Sequence, residues 1–149
     1  MTLAELKLLA AERLKDAKAL LQKKRYAFAY YVAGYAVECA LKACVLKQMV
    51  NTGWVFAPAA EGKGKKSLQD VLTHDFVKLV EIAGLSGALV EQLAAGGEGR
   101  TRFAEFWKVA CEWTVEVRYV PKSKEDAEAL FVAITDKTDG VLTWIRNYW

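Results

Sequence analysis

One histidine, two prolines and three cysteines among 149 residues leave little room for several common chemistries. A metal centre built from imidazoles needs more than His74, and no acid–histidine spacing of a helical metal motif occurs, so no metal and no cofactor is expected. Cys39, Cys44 and Cys111 are odd in number and lack a Cys-x-x-Cys spacing. They read as reduced, buried thiols, an expectation that goes with a cytoplasmic setting. There is no Gly-x-Ser-x-Gly elbow and no phosphate-binding P-loop. GKGKK at 62–66 resembles one in composition only, without the Gly-Lys-Thr/Ser ending or a preceding strand. Long apolar runs are missing too. In the most apolar region the longest uncharged stretch, 26–37, has twelve residues, short of the roughly twenty that cross a bilayer, so no membrane span or membrane partner is expected. The first residues, MTLAELKLLAAERLKDAKALL, carry charge at helical intervals, unlike a signal peptide.

What is present is 54% hydrophobic and 26% charged residues, the composition of a globular chain rather than a disordered one. The length suits a single domain over 1–149 that buries about two-thirds of its unfolded surface. A net charge of +3 permits a polyanionic partner without requiring one.

The pattern is helical throughout. Thr2 and Glu5 form a capping box, and Leu3, Leu6, Ala10, Leu14, Ala17 and Leu21 make an apolar stripe, predicting a helix over about 3–22. The cationic turn Lys23-Lys24-Arg25 suits the negative end of its dipole. A second helix, about 26–49, is apolar nearly all round and belongs at the centre of a bundle. Gly34 inside it costs about 1 kcal/mol against alanine, which a close neighbour would explain. Residues 51–68, rich in glycine and lysine, read as a long flexible loop. Helices over about 73–83 with Thr73 as cap, 86–95, and 102–118 with Thr101 as cap follow. The last starts after Pro121 with Ser123 and Asp126 as its cap. Ala127, Leu130, Phe131, Ile134, Thr138, Val141, Ile145 and Tyr148 continue it as one stripe. The expected fold is an all-α, up-and-down bundle of four to five main helices with one or two short ones.

Within the central helix, YVAGYAVECALKACVL at 31–46 is apolar or small except at Glu38 and Lys42. Their spacing is the favourable order for an intrahelical pair worth about 0.2–0.5 kcal/mol. On so apolar a helix at least one is covered, and a covered charge needs a partner, for which Arg118 is the candidate. Alternatively, Lys42 reaches water along its stem and Glu38 follows it.

Tyr26 and Ala29, the run from Ala36 to Lys42, His74 ahead of a short leucine-containing helix, and Arg118 with Tyr119 occur in an order that resembles the HEPN family (higher eukaryotes and prokaryotes nucleotide-binding domain). The resemblance implies a helical bundle that dimerises, often beside a minimal nucleotidyltransferase. Many such domains are ribonucleases or toxins that use an arginine followed, after four to six residues, by a histidine. That motif is missing here: Ser123, Lys124 and Glu125 stand where the histidine should follow Arg118, and Ser67, Leu68 and Gln69 where an arginine should precede His74. Imidazole is the side chain best matched to proton transfer near neutral pH, so its loss argues against metal-independent RNA cleavage. Arg118 alone still suits a phosphate.

The expected polar or anion-binding cluster is therefore Arg118, Tyr119, Glu38, Lys42 and Lys122. Trp54, Lys63, Lys65 and Lys66 are possible loop contacts, aromatic plus base being a composition used against single strands. Alternation of the helices places the lysine-rich loop and Arg118, Lys122 and Lys124 at one positive end. His74 reads as a structural residue oriented by hydrogen bonds. The leading expectation is a non-catalytic accessory module, homodimeric, that binds a nucleotide, RNA or a nucleotidyltransferase. The alternatives are a ribonuclease or toxin of a toxin–antitoxin pair using Arg118 with Glu38 or Glu116 as base, and a purely structural homodimer.

Overall fold

The computed structural model describes residues 1–52, 72–95 and 101–149. Among these are seven α-helices and one 3₁₀ helix, and no strand, in keeping with the expected all-α bundle: α1 (Leu3–Gln22), α2 (Tyr26–Thr52), α3 (Phe76–Ile82), α4 (Ser86–Ala94), α5 (Phe103–Cys111), the 3₁₀ helix Val115–Tyr119, α6 (Lys124–Thr135) and α7 (Val141–Ile145). Helix α1 begins where the capping box sets it: Thr2 Oγ1 accepts from the Glu5 amide at 3.2 Å, and the Thr2 amide donates to Glu5 Oε2 at 2.7 Å. It ends at the basic turn, where Lys24 takes a left-handed conformation with φ 58° and the Arg25 amide closes on Leu20.

Helix α2 lies at the centre. It pairs along α1 as a hairpin and also touches α3, the 3₁₀ helix, α6 and α7. Its apolar circumference is thereby used, with Ala33, Ala36, Val37, Ala40, Leu41 and Ala43 almost fully buried. The expectation that nothing here matches a membrane span needs correcting: Tyr26–Asn51 is long and apolar enough by length and composition. Yet 78% of its most apolar window is buried inside the protein, which is what a core helix shows. Small residues allow this crowding. Gly34 faces the indole of Trp113, which an alanine methyl would overlap. The close neighbour foreseen for Gly34 is thus a tryptophan, whose Nε1 donates to the Tyr31 carbonyl at 3.2 Å.

Three expected helices are shorter than the sequence pattern suggests. The segment expected over 102–118 ends at Cys111, because Trp113 must turn into the Gly34 notch and Thr114 is extended. Thr101 is not its N-cap residue; Arg102 holds that position without a side-chain capping bond, and the Arg102 amide donates to Asp139 Oδ2 at 3.0 Å. The third helix is capped by Asp75, which accepts from the Lys78 amide at 3.1 Å, rather than by Thr73. The final stripe is broken in two at Asp136, and Thr138 is exposed in the turn. At its other end the foreseen Ser123–Asp126 cap is present. Asn51 and Thr52 belong to α2; the rest of the expected 51–68 loop, with Trp54, Lys63, Lys65 and Lys66, lies outside the described residues.

Candidate functional site

Burial selects the site. Glu38 is the charged side chain of the core among the described residues, with 2% of it exposed. It sits on the arc of α2 that meets the segment ahead of α3, and two donors converge on one of its oxygens. Lys42 Nζ lies 2.7 Å from Oε1 and His74 Nδ1 2.9 Å from the same atom. A carboxylate only accepts, so Nδ1 carries the proton and Nε2 is the free ring nitrogen. The second oxygen, Oε2, is buried and has no hydrogen-bond partner among the described residues. Lys42 is largely covered and His74 half exposed, so Glu38 is held from inside and His74 presents its outer edge to solvent.

His74 lines a cavity of about 400 Å³ between residues 74–77 and 111–116. Its floor is Phe76 and Trp113, stacked at 5.2 Å with planes 10° apart. Asp75 and Glu116 contribute carboxylates and Thr114 a hydroxyl. Glu116 is held below the usual carboxylate range, chiefly by a hydrogen bond to its own backbone and then by Thr114, with Arg118 and His74 adding attraction. The thiol of Cys111, at the wall, is pushed up to about 11 by burial; Cys39 and Cys44 behave alike for the same reason. All three cysteines are unpaired thiols, and none is activated as a nucleophile.

The structure brings Glu38 and Lys42 together but gives their third place to His74 instead of Arg118. The 3₁₀ helix turns Val117 inward and Arg118 outward, where its guanidinium lies 4.8 Å from the ring of Tyr119, itself 77% exposed. Lys122 stands 4.4 Å over the ring of Tyr30, near the start of α2. That is about 33 Å along the helix from Thr52, so Lys122 does not share an end with the point where α2 finishes, as helix alternation had suggested. The lysines of that expected positive end, 63–66, lie outside the described residues. Sequence reasoning missed the Glu38–His74 contact. The signal available was that a covered acid needed a donor and that the chain's single histidine preceded a helix whose Phe76 and Leu79 had to pack inward.

The architecture is that of an all-α bundle whose central helix anchors a histidine at the wall of a cavity. The family model of the HEPN domain matches residues 4–55, which span α1 and α2, and that match supports a nucleotide- or RNA-related domain. The remaining pieces of the resemblance, His74 and Arg118 with Tyr119, lie beyond the matched residues. No curated protein and no solved structure matches the chain significantly.

Proposed function

We propose that the protein is a HEPN-type accessory module that binds a nucleotide, or the end of an RNA strand, in the cavity beside His74 without cleaving it. The observation that carries this reading is an imidazole fixed by a buried carboxylate at the wall of a cavity with an aromatic floor. Val77, 56% exposed, and the small accessible parts of Phe76 and Trp113 offer apolar surface to a base. His74 Nε2 and the two carboxylates offer acceptors to its amino groups, and Arg118, beyond Glu116, offers a cation to phosphate. On this reading the module works as a homodimer beside a minimal nucleotidyltransferase, which light scattering and co-purification of the two proteins test.

Thermal titration tests the binding itself. A mononucleotide such as ATP or GTP at about a hundred times its Kd is expected to raise Tm by about 5–10 °C. His74→Ala should abolish the rise and Arg118→Ala should reduce it. No shift with either nucleotide or with a short RNA removes the reading.

One observation favours a second reading, a metal-independent ribonuclease. A carboxylate behind Nδ1 and a free Nε2 in front is the arrangement of a general base. Glu38 is too buried to act on a substrate itself, so His74 replaces it in that role. Incubation with labelled RNA in the presence of a chelator decides: cleavage that His74→Ala abolishes establishes an enzyme and overturns the non-catalytic module.

A further inference from the structure

Positions 28, 31, 35, 38 and 42 fall within one narrow arc of α2, so a single face of the helix runs from Phe28 to the Glu38–Lys42 pair over about 21 Å. The first three of these residues are aromatic. Phe28 and Tyr31 stack at 6.0 Å with planes 22° apart, and Tyr31 and Tyr35 at 6.4 Å with planes 1° apart. Tyr31 also stacks on Trp113 at 6.1 Å, and Trp113 lines the His74 cavity. Phe28 is 55% exposed, so its ring is open to a partner. It lines a groove of about 370 Å³ with Arg13, Lys23, Leu20 and Val32, and Lys24 and Arg25 follow in the adjoining turn. Asp16, the acid in this groove, is paired with Arg13 at 3.3 Å.

We infer that this face is a binding track for single-stranded RNA, leading from the basic groove over Phe28, Tyr31 and Tyr35 towards the His74 cavity. The inference rests on the nucleotide-binding reading of that cavity and extends it from a mononucleotide to a strand. The cations meet backbone phosphates, and the rings offer stacking surface that any base can use, which is the composition single-strand binders share. A second copy of the chain fits less well. A two-fold contact would place Arg13, Lys23 and their neighbours against the same cations of the partner.

Fluorescence anisotropy with a labelled single-stranded oligoribonucleotide of about ten residues tests the track, with nucleotide binding followed in parallel by thermal shift. Phe28→Ala and Lys23→Glu change exposed side chains, and circular dichroism confirms that both variants fold. Each is expected to weaken strand binding by about fivefold or more while leaving mononucleotide binding unchanged. Strand affinity within about twofold of the parent in both variants overturns the track. If His74→Ala alone weakens the strand, the cavity reading stands and the track falls. If the parent binds neither strand nor nucleotide, both fall. If Phe28→Ala converts a dimer to a monomer with strand affinity intact, the face is a self-association surface and the inference is wrong.

Discussion

Glu38 cannot reach water, but both of its partners can. Its side chain is 2% exposed, against 23% for Lys42 and 48% for His74. Deleting the acid and deleting a base are therefore unequal changes. Lys42→Met leaves a buried carboxylate with one donor and is expected to cost about 2–4 kcal/mol in urea unfolding. Glu38→Leu lets both bases turn to solvent and removes the unpartnered Oε2, so its stability should stay within about 1 kcal/mol of the parent. The double variant should recover most of what Lys42→Met loses. If Glu38→Leu proves the more damaging single change, the pair contributes net stability. The Glu38–Lys42 half of this cluster was legible in sequence because the two residues are four apart on one helix. His74 was not, since its contact spans 36 residues and depends on where the chain re-enters the bundle. Gly34 is a similar case: its cost was visible, but Trp113 as the neighbour that needs it was not.

At the scale of elements, starts were easier to read than stops. The capping boxes at Thr2–Glu5 and Ser123–Asp126 are local chemistry and lie where expected. The end of α6 depends on a side chain competing with the helix. Asp136 Oδ1 accepts from the amides of Thr138 at 2.9 Å and Asp139 at 2.8 Å, and this turn cuts an apolar stripe that otherwise reads as one rod. Asp139 then satisfies the amide of Arg102, the N-cap residue ahead of α5, so the break also ties two helices together. The Asp139 and Thr138 amides hold the Asp136 carboxyl below its ordinary value of 3.8. A carboxyl depressed by folding contributes stability above its unfolded pKa, and that contribution is lost as pH falls through the folded value. Asp136→Asn should therefore melt below the parent at pH 7, with the gap closing as pH falls below about 4. A gap that stays constant down to pH 2 would show that the charge plays no part.

For the whole molecule, the decisive relation is between α2 and what surrounds it. A helix as apolar as Tyr26–Asn51 keeps its place at the centre of the bundle only while its surface is covered by protein, and its C-terminal half depends on the far end of the chain. Lys47 Nζ donates to the Tyr148 carbonyl at 2.9 Å, a contact across 101 residues, and α7 packs on α2 and α6 through Val141, Leu142, Trp144 and Ile145, all buried. Burying four such side chains contributes about 6–12 kcal/mol before the entropy of ordering them is subtracted. Net domain stability is about 5–15 kcal/mol, so losing α7 removes an amount comparable to the whole. Deleting 141–149 is therefore expected to abolish cooperative thermal unfolding, leaving a chain that keeps far-ultraviolet helical signal but loses tryptophan near-ultraviolet dichroism. It should also become prone to aggregation, as the apolar face of α2 is uncovered. Arg146→Ala, an exposed position in the same segment, should leave the melt within about 2 °C of the parent and serves as the control for length-independent effects. A truncated chain that still melts cooperatively within a few degrees of the parent would mean that α1, α3, the 3₁₀ helix and α6 cover the central helix without α7, and the account of α7 as part of the core would have to be abandoned.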